Sequence, residues 1–71
     1  MNNTIKVQRA IHNLTQEQLA NLVEVSRQTI NAIELKKFVP STVLALKIAK
    51  VFNTTVETIF QLEEEELVVN G

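Results

Sequence analysis

The twenty residues from Thr15 to Glu34 constrain this chain more than any other stretch. They hold two helix patterns separated by a three-residue turn at 23–25. Thr15 and Gln18 form a capping-box pair, followed by Leu19, Ala20 and Leu22 as an apolar stripe. Ser26 caps a second helix that turns Ile30 and Ile33 inward and Arg27, Gln28, Thr29 and Asn31 outward. A short amphipathic helix ordinarily carries Glu and Lys on its wet face. Here that face reads Arg-Gln-Thr-Asn, with no acid before Glu34. Such side chains form the hydrogen bonds by which proteins contact base edges and phosphates.

Composition narrows the rest. A chain of 71 residues makes one domain, and at this size folding buries only about 60% of the unfolded surface, so a second copy would help stability. One Gly and one Pro speak against a sheet built on tight turns, and 45% hydrophobic residues speak against disorder. Without cysteine there is no disulfide framework and no thiolate metal site. No apolar run reaches membrane-span length and no signal peptide precedes the domain, which gives the expectation of a soluble cytoplasmic protein. The net charge of −1 hides an asymmetry: Glu63–Glu66 supply four of the eight acids. Residues 1–62 therefore carry seven basic against four acidic groups, a balance of +3, which lets a basic face meet nucleic acid while the acids stay at the far end.

The remaining segments give an all-α reading with five helices. Helix one spans 4–12, with Ile5, Val7 and Ile11 as its apolar members, and Asn13 ends it. Helices two and three occupy 15–22 and 26–34. Leu35–Pro40 is a loop, after which Ser41 caps a helix over 41–52 that is apolar nearly all round and is therefore expected to be central and buried. Asn53 closes it. Thr55 caps a short fifth helix with Val56, Ile59 and Phe60. The core is expected over 4–62 and a tail over 63–71. For the tail, Glu63–Glu66 favour a frayed, solvated end, whereas Val68–Val69 favour a short strand pairing with the N-terminus or a partner chain.

From Thr15–Ala20, Val25–Glu34, Pro40–Ser41, Leu44–Ala49 and Ile59–Phe60, the chain resembles the phage-repressor and Cro type of helix-turn-helix proteins. It is most similar to the small stand-alone bacterial and archaeal regulators of that group, the dimeric cytolysin repressor among them. The resemblance implies a transcription regulator that binds a palindromic operator as a homodimer. It also implies that Gln16 holds a phosphate while bracing a recognition-helix side chain, and that Arg9 and Glu34 form a partly buried structural pair. Three departures stand out. Glu24 occupies a turn position that often holds Gly, at a cost on the order of 1 kcal/mol. Glu34–Leu35–Lys36–Lys37 lacks the usual Gly cap, and Val7 and Ile11 fall on the side of helix one that relatives more often keep polar.

For base contacts the candidates are Arg27 (guanine O6 and N7), Gln28 (adenine N6 and N7), Thr29 and Asn31. For phosphates they are Gln16, Ser26, Lys36 and Lys37, with Ser26 first of all a cap. Phe60, Leu62, Leu67, Val68 and Val69 are surplus apolar residues and the expected dimer interface, with Val43 or Phe38 as neighbours. His12 stands alone, and the chain has no Asp and no Cys, so neither a metal site nor a catalytic constellation is expected, nor a cofactor or small-molecule ligand. The expected function is sequence-specific binding of double-stranded DNA, with repression by occupancy. The rival is an antitoxin of the same fold that also binds a protein partner; such proteins usually carry a longer extension than the nine residues of this tail.

Overall fold

The structure, a computed structural model, describes residues 1–68. In chain order it contains β1 (Asn2–Asn3), α1 (Ile5–Ile11), α2 (Gln16–Val23), α3 (Arg27–Glu34), α4 (Thr42–Val51), α5 (Val56–Ile59) and β2 (Phe60–Gln61), then a 3₁₀ turn at Glu64–Leu67. Four helices begin on a hydroxyl. Thr15, Ser26, Ser41 and Thr55 accept from the backbone N–H groups of Gln18, Thr29, Leu44 and Thr58 at 3.0–3.2 Å. Gln18 returns the bond to the Thr15 N–H at 2.9 Å and completes the capping box.

Four helices also end alike, without glycine. Asn13, Glu24, Lys36 and Asn53 all have φ between 53° and 63°. In each case the next N–H reaches back five residues: Leu14 to Arg9, Val25 to Ala20, Lys37 to Ala32 and Thr54 to Ala49, at 2.9–3.0 Å. This closure satisfies carbonyls that a helix end leaves open. Asn adopts the left-handed conformation readily, whereas Glu24 and Lys36 each bear its cost of roughly 1 kcal/mol. Lys36 thus takes the left-handed conformation at the place where the resemblance implies a glycine cap.

The core is built from Ile5, Leu19, Ala20, Val23, Ile30, Ile33, Leu44, Ala45, Ile48, Ala49, Phe52, Ile59 and Phe60. Helix geometry corrects two expectations. In α2 the buried side chains are Leu19, Ala20 and Val23, and Leu22 is exposed. At 100° per residue Leu22 lies roughly 100° off the centre of that face. In α4, Leu44, Ala45, Ile48 and Ala49 face the core, while Val43 and Leu46 lie on the far side at 64% and 57% exposure. The helix is apolar all round but buried on one face only. Val7 and Ile11 of α1 are likewise exposed. His12 lies obliquely against Phe52, ring centroids 5.3 Å apart.

A strand does pair with the N-terminal segment, but earlier than the valines suggest. β1 and β2 run antiparallel with Asn2 opposite Gln61 and Asn3 opposite Phe60. The Thr4 N–H donates to the Ile59 carbonyl at 2.8 Å and extends the junction. Val68 is outside any strand and exposed, and Val69 lies outside the described residues. Phe60 must be removed from the surplus apolar set, because it is only 7% exposed and belongs to the core. Its place directly after α5 and opposite Asn3 turns the ring inward, a consequence of strand pairing that helix periodicity does not reveal.

Two of the four glutamates do not stay apart from the basic groups. Glu63 lies 3.6 Å from the Lys36 ammonium, and Glu66 lies 3.0 Å from the Met1 amino group. The Glu66 carboxyl is held below the usual carboxylate range, first by its bond from the Glu63 backbone N–H and then by that ammonium. Among the described residues no helix is long and apolar enough to cross a membrane.

Candidate nucleic-acid interface

Helix α3 is anchored from beneath and open above. Ile30 and Ile33 are fully buried, whereas Arg27, Gln28 and Asn31 are exposed and span roughly 100° of its surface. Among the described residues the side chains of Arg27 and Gln28 have no hydrogen-bond or ion-pair partner. An exposed guanidinium and an exposed amide one residue apart at a helix N-terminus can fork onto guanine and adenine edges.

Ser26 and Thr29 are less free. The Ser26 hydroxyl accepts from the Thr29 N–H, and the two hydroxyl oxygens lie 3.0 Å apart, so one donates to the other. When Thr29 donates, the Ser26 proton is left for a phosphate. Thr29 itself is half-buried with its hydroxyl turned to the cap, which leaves its methyl as the group able to meet a thymine methyl.

The end of α3 is fixed by a polar cluster. Arg9 on α1 forks onto Glu34, Nε to Oε2 at 2.7 Å and Nη2 to Oε1 at 3.0 Å, and its Nη1 donates to the Leu14 carbonyl at 3.1 Å. One guanidinium thus ties α1, the α1–α2 loop and α3 together. The hydrogen bond to Glu34 raises the Arg9 pKa above its ordinary value. The side chains are 16% and 9% exposed, so the pair fixes how these helices meet more than it adds to stability. At the first position of α2, the Gln16 amide nitrogen donates to Glu34 Oε1 at 3.3 Å and to Asn31 Oδ1 at 3.1 Å.

The two loop lysines differ. Lys37 is exposed with no ion-pair partner among the described residues. Lys36 is half-engaged at its Asn2 and Glu63 partners, 2.9 and 3.6 Å away. The sequence reading missed Lys6. It lines one cleft with Asn3, Arg9, Gln16, Asn31, Glu34 and Leu35, and it is exposed. The signal was available: Lys6 and Arg9 are three residues apart on one helix face, so an Arg9 that meets α3 brings Lys6 with it.

This architecture, two capped helices joined through a left-handed residue with a polar outward face on the second, defines a helix-turn-helix DNA-binding domain. Comparison with known families agrees: residues 5–59 match the model described as helix-turn-helix, the Cro/C1 type, and the chain belongs to that family. An uncharacterized HTH-type transcriptional regulator of Methanocaldococcus jannaschii is 56% identical over 66 residues, covering 93% of this chain and 100% of the relative. One from Archaeoglobus fulgidus is 52% identical over 67 residues, with 94% of each chain covered. YgzD of Bacillus subtilis, similarly named, is 49% identical over 65 residues, covering 92% of this chain and 98% of its own. The protein is a transcriptional regulator with a helix-turn-helix DNA-binding domain, and its family is not one of enzymes.

Proposed function

We propose that this regulator is a repressor that binds a palindromic operator as a homodimer and blocks transcription by occupancy. The observation that carries the reading is the outward face of α3: Arg27, Gln28 and Asn31 exposed above a buried Ile30–Ile33 underside. Arg27 and Gln28 read base edges, Asn31 reads an adjacent one, and the Thr29 methyl adds an apolar contact. Lys37, Lys6 and the Ser26 hydroxyl grip the flanking phosphates, and Lys36 joins them when it leaves Glu63.

One helix of eight residues reads too few base pairs for useful specificity. Two copies about 34 Å apart read successive major grooves on one face of the duplex. The interface we assign uses Leu62, Leu67 and Val68, all more than half exposed, with Val43 and Phe38 as neighbours. Phe60 has no place in it, because it is core. Selection of bound fragments from a random duplex pool should return an inverted repeat, and sedimentation at micromolar concentration should give a dimer. Leu62→Glu should yield folded monomers with reduced operator affinity. A monomer that selects a single, non-repeated site with full affinity would overturn the dimeric reading.

A further inference from the structure

We infer that the acidic tail is a built-in competitor for DNA at Lys36: Glu63 occupies the ammonium that a phosphate would otherwise take, and so tunes affinity downward. The inference rests on the reading of α3 and the loop after it as the DNA-facing surface. It starts from the backbone. Lys36 holds φ 63°, a conformation that glycine or asparagine adopts readily and lysine does not. A strained residue directs attention to what its side chain does. Here the ammonium crosses from the end of α3 to the two terminal segments, 2.9 Å from the Asn2 amide oxygen and 3.6 Å from Glu63 Oε1.

Glu63 is held there by contacts other than the lysine. The strand pairing sets Asn2 opposite Gln61, which brings the residues just after Gln61 beside the N-terminal segment. The Glu63 N–H donates to Glu66 at 2.8 Å, and its second carboxylate oxygen lies 3.9 Å from the Met1 ammonium. At 3.6 Å the contact with Lys36 is Coulombic and not a hydrogen bond, and the lysine side chain is 52% exposed. An exposed pair of this kind is weak, so another anion can displace it. A phosphate offers the ammonium the same charge. Lys36 cannot serve both anions fully: either it swings away from Glu63, or the phosphate approaches a carboxylate of its own sign. Lys37, the next residue, has no ion-pair partner among the described residues and meets a phosphate without this competition. Glu64 is exposed and also lacks such a partner among the described residues, which makes it a matched control.

The test titrates the full-length protein with the highest-affinity duplex from the random pool over a series of salt concentrations. Glu63→Gln should tighten binding about threefold at low salt, the scale of one exposed ion pair, and the gain should fade as salt rises. Glu64→Gln removes the same charge from a residue without a partner and should give a smaller gain. Lys36→Asn keeps a residue that tolerates the left-handed turn. Introduced beside Glu63→Gln, it should weaken every duplex alike and lower the salt slope by about 0.9, a larger loss than it causes with Glu63 in place. Thermal melts establish that each variant is folded, and Glu63→Ala serves as a second removal of the acid. Equal gains from Glu63→Gln and Glu64→Gln would reduce the effect to net charge and overturn the inference. A Glu63→Gln gain that persists in full with Lys36→Asn would overturn it as well. If Arg27→Ala also leaves binding unchanged, the underlying reading of α3 has failed instead.

Discussion

Two surfaces of this small protein are built in opposite ways. On α3 the exposed side chains are polar, and those of Arg27 and Gln28 lack partners among the described residues, while the apolar residues beneath are fully buried. On the segment after α5 two of the four acids are engaged, Glu63 with Lys36 and Glu66 with the Met1 ammonium, and the apolar residues Leu62, Leu67 and Val68 stand uncovered. A surface with unsatisfied donors suits a polar ligand such as DNA, whereas one with paired charges and bare apolar groups suits another protein surface. The same contrast separates neighbouring lysines, Lys37 without an ion-pair partner among the described residues and Lys36 beside Glu63.

Phe60 marks the boundary between core and tail, and substitution there should have the largest effect. Phe60→Ala should cost about 3–5 kcal/mol in urea unfolding, enough to threaten a domain of this size, while Leu67→Ala should change monomer stability by less than about 0.5 kcal/mol. A similar cost for both would show that the tail is part of the monomer core. A smaller gain is expected at the turn between α2 and α3. Glu24→Gly relieves a side chain held at φ 62° and should stabilise by about 1 kcal/mol, while Asn53→Gly should gain less, since Asn tolerates this conformation.

The smallest effect concerns pH. The Glu66 carboxyl titrates lower in the folded protein than in the unfolded chain. Its contribution is therefore complete above the ordinary Glu value and is lost as pH falls through the depressed one. Backbone amide shifts of Leu67 should follow that titration, and Glu66→Gln should abolish the dependence. Because the group is exposed, added salt should weaken it.

How much of this was legible in the sequence depended on the range of the interactions. Capping hydroxyls, the Thr15–Gln18 box and the helix-closing residues Asn13 and Asn53 act within a few positions, and the caps and the two closures could be read from residue type. The burial of Phe60 and the engagement of Lys36 depend on residues that meet across the length of the chain, Asn3 with Phe60 and Lys36 with Glu63, and no local pattern encodes them. Residue types overstated burial in α4, because apolarity all round does not say which face has a neighbour. At the candidate site, Arg27 and Gln28 were nominated by chemistry. Lys6 emerged only once Arg9 and Glu34 were placed in contact.

The central claim is that α3 reads bases while the loop beyond it holds backbone. Titrating Arg27→Ala, Gln28→Ala and Lys37→Ala against the selected operator and single-mismatch duplexes, at several salt concentrations, tests it most directly. Arg27→Ala and Gln28→Ala should each cost about 1–3 kcal/mol on the operator and erase discrimination at one base pair. Lys37→Ala should weaken every duplex alike and lower the salt slope by about 0.9. A Lys37→Ala variant with altered base preference, beside Arg27→Ala and Gln28→Ala variants that keep theirs, would contradict the account.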